Sequence, residues 1–288
     1  VGDSINVVMG IVNGTTNYIL DKMTTEGMDY QTALVQAQDL GYAEADPTAD
    51  VEGHDAAAKA AILASLAFHT SVDGDQVHCE GITRVVPGDI KAAAENDCVV
   101  KLIALAQVLD DGRISVRVHP AMVPNTHPLA TVGGAYNAIF VEAEAAGRLM
   151  FLGPGAGGAP TASAVVGDLV TVARNRHRGV AGPRQVLYNH LEMAPMDAVH
   201  TRYYLRFQVI DAPGVLAEIA GIFASHKISV QIVQQGPADM TGRHHDTSIA
   251  ELSMMTHVAN EGDVLKCVAD LKASPPVRGE VRFMRVEG

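Results

Sequence analysis

The spacing of apolar and polar positions changes three times along the chain. Residues 5–12, INVVMGIV, are β-branched and almost wholly apolar, which predicts a buried strand. Asn13-Gly14 marks a turn, and Thr15 or Thr16 is placed to cap a helix over TNYILDKMTTEG. DYQTALVQAQDLGY repeats apolar residues at helical spacing, with Gly41 as its C′ residue. GHDAAAKAAILASLAFHT is rich in Ala and Leu and predicts a further helix, beginning near Val51 and too apolar to lie on the surface.

From 77 to 150 the period shortens. GITRVV (81–86) and VVKLIALAQVLDDGRISVRVHPAMV predict strands, with Asp111-Gly112 as a hairpin turn. The stretch from NAIFVEAEAAGRLMFLGPGAGG to VTVARNRHRG then predicts strand, turn, strand, glycine loop and helix. Residues 181–199 have turn formers at both ends and read as a connector. Beyond 202 the order is strand (RYYLRFQVID), helix (APGVLAEIAGIFASHK), strand (ISVQIVQQG), strand (HDTSIAELSMMTH), helix (EGDVLKCVADLKAS) and strand (VRFMRVEG). That is the βαββαβ order of a ferredoxin-like unit. The fold class expected is α+β: a mixed β-sheet packed by helices, then the ferredoxin-like unit.

Composition mainly excludes. With 288 residues and 48% hydrophobic content, the chain has room for two domains and ample core. A formal net charge of −12 argues against a nucleic-acid partner. The one basic cluster, ARNRHR at 173–178, suits the C-terminal end of a helix. Cys79, Cys98 and Cys267 lie far apart, an odd number without metal-type spacing, as in a reducing compartment. No apolar run approaches the length of a membrane helix and no secretion signal opens the chain, so a cytoplasmic protein with no membrane partner is expected. The chain enters an apolar strand almost at once without an initiator Met, so a fragment or processed form is expected.

The chemistry concentrates in GYAEADPTADVEGHDAAAK (41–59), where Glu44, Asp46, Asp50, Glu52 and Asp55 precede Lys59. A solvated loop is the ordinary reading of a charge run, but these carboxylates are interleaved with Ala, Val, Gly and Pro and lead into an apolar helix. A calcium loop needs alternate ligands around a central Gly, and His54 and His69 are too scattered for a zinc helix. Helical spacing instead puts Asp55 and Lys59 at i,i+4 on one face. A lysine on a buried helix needs a partner, and an ammonium steered by carboxylates is a natural proton donor to a carbonyl oxygen. The remaining carboxylates suit an α-ammonium group, so an amino-acid substrate bearing a carbonyl is expected, with no metal.

Two further motifs stand out. Gly153, Gly155 and Gly158 form a G-x-G-x-x-G between a predicted strand and helix. No Asp or Glu follows at the end of a next strand, so the loop reads equally as a cofactor contact or a tight packing turn. In the last unit, VIDAPGVLAEIAGIFASHKISVQIVQQ resembles an ACT domain through Asp211, Pro213, Gly214, Val215 and Leu216. Such modules pair edge to edge and bind an amino acid near that first turn, where free N–H groups can hold a carboxylate; a unit that only dimerises would look the same.

Together GIVNGTTNYIL, GYAEADPTADVEGHDAAAKAAIL and FLGPGAGGAPTASAVVGDL, followed by the ACT-like tail, resemble homoserine dehydrogenases of the bacterial type with a C-terminal ACT domain. The resemblance covers essentially the whole chain. It implies NAD(P)-dependent interconversion of aspartate 4-semialdehyde and homoserine, on the way to threonine, methionine and isoleucine, with threonine as effector at the ACT domain. It implies Lys59 as catalytic acid/base with Asp55 beside it, and Glu44, Tyr42, Asp50, Gly14 and Thr15 at the substrate. It further implies Gly157 and Gly155 at the cofactor, and Asp211, Pro213, Gly214, Val215 and Leu216 at the effector. Residues 1–198 then form the substrate-binding and dimerisation domain, 202–288 the ACT domain, and the assembly is a homodimer or homotetramer. The family's N-terminal nucleotide-binding domain is expected to be missing, 153–178 to pack against it, and the chain alone to be inactive. The alternatives are an amino-acid-binding regulatory module without chemistry and, more remotely, a metal-dependent lyase.

Overall fold

The computed structural model describes residues 3–181, 189–237 and 249–288. The chain divides into two compact units, Val1–Met193 and Ala194–Gly288.

The first unit opens with β1 (Ile5–Ile11), α1 (Gly14–Glu26), α2 (Tyr30–Asp39), a single turn α3 (Thr48–Val51) and α4 (His54–Phe68). Then come β2 (His78–Cys79), α5 (Pro87–Glu95), β3 (Cys98–Val108), β4 (Ile114–Pro124), β5 (Tyr136–Ala143), β6 (Gly147–Pro154) and α6 (Gly158–His177). The sheet runs β6-β5-β1-β3-β4. These neighbours are antiparallel, while β2 lies parallel to β4, so the sheet is mixed. β1 is central, and both its faces are covered: Val8 on one and Met9 and Ile11 on the other are all buried. Met9, Ile11, Ile103, Leu105, Val123 and Phe140 belong to one core cluster. On α4 the buried residues are Ala56, Ala57, Ala60, Ala61, Ala64 and Phe68, a small-residue face suited to close approach.

Several local expectations are corrected. Asn13, not Thr15 or Thr16, caps α1: its side chain accepts from the Thr16 N–H at 2.9 Å. The acidic helix starts at His54, because Gly53 sits at φ 86° and breaks it from α3. Residues 81–86 are not a strand; Ile82 and Val85 are buried singly within a turn. α5 was not foreseen, although Pro87 at its start is a recognised initiation signal. Gly41, at φ 76°, does follow α2 as its C′ residue. Arg174, Arg176 and His177 do occupy the last turn of α6. α6 has no buried residue and exposes Val165, Val166, Leu169 and Val172.

The second unit contains β7 (His200–Ile210), α7 (Val215–Ser225), β8 (Val230–Pro237), β9 (Ile249–Thr256), β10 (Ala259–Asn260), α8 (Glu261–Ala273) and β11 (Val277–Val286). Its sheet order β11-β7-β9-β8 puts the last strand beside the first and the third between first and second, the ferredoxin-like arrangement. Both helices contribute to a single core with Tyr203, Leu205, Phe207, Ile219, Phe223 and Leu271. The expected strand start at 245–248 and part of the 181–199 connector (182–188) lie outside the described residues; Met196–Ala198 is a short 3₁₀ turn.

Candidate active site

β1 ends at Ile11, and the next two residues organise the site. The Val12 carbonyl accepts from Lys59 Nζ at 3.1 Å and from Asn137 Nδ2 at 3.2 Å. Asn13 Nδ2 donates to Asp50 Oδ1 at 2.6 Å and to Asp55 Oδ2 at 2.9 Å. Lys59 Nζ meets the same Asp55 Oδ2 at 2.6 Å, the i,i+4 pair that helical spacing predicts. One amide thus ties α3 and α4 to the end of β1 and bridges two carboxylates. Asn13, 5% exposed, is the residue that sequence reasoning missed. Its Asn-Gly context signalled only a turn, and its contacts are 37 and 42 positions away.

The expectation of a helix too apolar to lie on the surface is corrected. The Lys59 side chain is 45% exposed and that of Asp55 33%. α4 turns Ala inward and leaves Ile62 and Leu66 outside, so the ammonium stands at an open rim with its carboxylate and carbonyl acceptors behind it.

The other expected substrate residues surround this centre unevenly. Thr15 Oγ1 donates to the Tyr42 carbonyl at 2.6 Å, joining the start of α1 to the 41–46 loop. The Tyr42 ring lies against Tyr18, centroids 4.9 Å apart. A Cβ on Gly14 would stand 2.7 Å from the Ala135 carbonyl, so this turn requires glycine for close approach. Glu44 is exposed, and its carboxylate has no hydrogen-bond partner among the described residues. It is not drawn into the Asn13 network. Asp46, without an expected role, accepts from Thr48 N–H (3.1 Å) and Oγ1 (2.6 Å) in the turn that leads into α3. Among the described residues no group of three or more His, Cys, Asp or Glu is placed to hold a metal.

The glycine motif divides. Gly153 pairs with Asn137 inside the β5–β6 hairpin, so this strand is antiparallel and not part of a βαβ dinucleotide unit. Gly155 presses on the Asn137 side chain, while Gly157 caps α6 at φ 123°, a conformation L-residues avoid. α6 has no side-chain cap, and its first turn is exposed at Gly158 and Ala159.

Behind the turn, Lys101 is 3% exposed. Its ammonium donates to Asn17 Oδ1 at 3.1 Å and the Val132 carbonyl at 2.7 Å. Asn17 Nδ2 also reaches the Val132 and Gly134 carbonyls, and Asp21 accepts from the Gly134 N–H at 2.9 Å. Burial pushes Lys101 down to about 8, against a smaller upward pull from Asp21. This buried cluster fixes the 132–136 loop that backs Gly14.

In the second unit a cleft of about 400 Å³ lies at the β7–α7 turn, lined by Asp211, Pro213, Gly214, Val215, Leu216 and Gln235, among others. Gly214, at φ 91°, is the N-cap of α7 and leaves its first turn without a side-chain cap. Gln235 Nε2 donates to Asp211 Oδ1 at 3.2 Å, a wall residue from β8 that sequence reasoning did not single out.

Comparison with known proteins follows the same division. The homoserine dehydrogenase family profile matches residues 1–170, and the ACT domain profile residues 203–275. The chain belongs to the homoserine dehydrogenase family. Homoserine dehydrogenase of Mycobacterium tuberculosis H37Rv is 52% identical over 292 residues, covering 100% of this chain and 66% of that protein. The homoserine dehydrogenase structure from Thiobacillus denitrificans superposes with a TM-score of 0.91 at 37% identity, over 99% of this chain and 64% of that one. A hyperthermophilic archaeal homoserine dehydrogenase mutant in complex with NADPH matches 60% of this chain and 49% of its own, with a TM-score of 0.50 and 31% identity. The chain thus spans about two thirds of the length of the curated relatives it matches.

Proposed function

We propose that this chain carries the substrate and regulatory sites of an NAD(P)-dependent oxidoreductase that interconverts aspartate 4-semialdehyde and L-homoserine. The observation that carries this reading is the Asp55–Lys59 pair, held on the Val12 carbonyl and linked through Asn13 to Asp50. Lys59 is the proton donor to the substrate oxygen in reduction and the acceptor in oxidation. Asp55 and Val12 hold its ammonium in place through charge-assisted hydrogen bonds. Glu44 and Asp50 take the substrate α-ammonium, with Tyr42, Gly14 and Thr15 around it. The unsatisfied carboxylate of Glu44 is available for that charge.

The cofactor reading rests on backbone. Gly157, at φ 123°, and the exposed uncapped start of α6 suit a group approaching the chain closely, so Gly155 and Gly157 are the residues here that would meet NAD(P). NAD(P) supplies or accepts the hydride when bound. In Lys59→Ala the holoenzyme should lose about 10²–10⁴-fold in kcat for homoserine oxidation with KM little changed, the scale of a lost general acid/base. A variant with wild-type kcat would sink the assignment.

The regulatory reading rests on the cleft at 211–216, where an amino acid's carboxylate meets the start of α7 and Gln235 offers a polar wall. We take threonine as the effector. Calorimetry should show threonine binding lost in Gly214→Val while homoserine binding persists. Equal loss of both ligands, or of neither, would contradict two separate sites.

A further inference from the structure

The β1–β5 ladder is in register through Ile11 and Ala138, one residue short of Val12. At that point the strand carbonyl would lose its ladder partner. Asn137, the second residue of β5, replaces it with a side-chain donor, Nδ2 to the Val12 oxygen at 3.2 Å. The same oxygen accepts Lys59 Nζ at 3.1 Å, so both its acceptor directions are in use. The peptide it belongs to leads directly into Asn13, whose amide holds Asp50 and Asp55. One peptide plane therefore sets the acceptor of the ammonium and the bridge between the carboxylates. Asn137 is the group on the far side of the sheet end that stops this plane from turning.

Asn137 has a seat of its own. A Cβ built on Gly155 would lie 2.0 Å from Asn137 Nδ2, 2.6 Å from Cγ and 3.2 Å from Oδ1. Those three nearest atoms all belong to the Asn137 carboxamide. Gly155 does not sit at a positive φ, so its backbone conformation does not demand glycine. Asn137 Oδ1 is itself buried without a partner among the described residues, and it faces Gly14, whose Cβ would come within 3.6 Å. The carboxamide is thus clamped between the first turn of α1 and the loop before α6.

We propose that Asn137 is the positioning residue of the Lys59 ammonium, and that position 155 is glycine in order to seat Asn137. The inference deepens the function proposed above, since it concerns how that proton donor is held. It differs from a purely cofactor-facing role for Gly155, in which the missing side chain makes room for a dinucleotide.

The two roles separate in a double-mutant cycle. The readout is the acetylation rate of Lys59 by acetic anhydride at fixed pH, followed by mass spectrometry on the chain without cofactor. In Asn137→Ala the Val12 carbonyl is released, the ammonium loses a charged hydrogen bond, and acetylation should rise roughly three- to tenfold. Gly155→Ala, by expelling the carboxamide, should give a similar rise. The double variant should rise no further than Asn137→Ala alone, because alanine at 137 removes the three atoms nearest to the new Cβ. Unchanged acetylation in Asn137→Ala, or additive effects in the double variant, would overturn the proposal. So would a parallel rise at Lys101, which lies buried in the same sheet and reports general loosening. A cycle that behaves as expected in a chain failing to bind homoserine by calorimetry would remove the substrate assignment and leave the positioning intact.

Discussion

Asn13 commits both amide hydrogens to carboxylates and its oxygen to the Thr16 N–H, leaving no polar atom of the side chain idle. Aspartate there would keep the helix cap but put a third carboxylate against two others, which is why an amide suits the position. Lys101 is the opposite case, a cation kept in the interior at a cost. Its proton affinity is depressed to about 8 from an ordinary value of 10.5, so between those pH values the unfolded chain binds more protons than the folded one. Stability from this group therefore rises with pH across that window, by on the order of 3 kcal/mol in full. Cys267, pushed up to about 12 by burial, acts in the reverse sense at the alkaline end. The difference between wild type and Lys101→Met isolates the lysine: denaturant midpoints from pH 7 to 10 should climb relative to those of the variant. Parallel curves would show that the Lys101 ammonium is not the titrating group.

Among the elements, the α3–α4 corner decides where Asp50 and Asp55 stand. Gly81 presses into that corner, and a Cβ there would lie 2.2 Å from the Val51 carbonyl oxygen and 2.4 Å from Glu52 Cα. Both are backbone atoms that cannot swing aside. Gly81→Ala should destabilise by about 1–3 kcal/mol as an overpacked site, and weaken homoserine binding through the displaced carboxylates. An unaltered denaturation midpoint would show that the corner yields freely. This contact was invisible in the sequence, since Gly81 opened what reads as a strand. Ile82 and Val85 misled because β-branched residues also serve as single anchors of a turn, where burial occurs without pairing. The Asp55–Lys59 pair was legible for the converse reason: its geometry depends only on the period of one helix. What spacing could not supply was the orientation of that helix: its small alanines are the buried face, while the larger Ile62 and Leu66 stand outside.

For the molecule as a whole, the ferredoxin-like second unit was readable from its punctuation, since turn residues separate the elements and their order alone marks the βαββαβ pattern. The first unit hides its order, because β1 pairs with strands that come far later in the chain. The Asp–Lys helix could be found locally, but Asn13 and Asn137 could not, as each acts on partners from other segments. Such non-local closure also has a consequence in time. The bond between Val12 and Asn137 spans 125 positions. On the ribosome, the helix carrying Asp55 and Lys59 emerges well before β5, and loop closure over that distance precedes any gain from the contact. For that interval the carbonyl that orients the ammonium has one of its two donors at most. The setting of the ammonium is therefore completed late, by a strand that contributes no charged group to it.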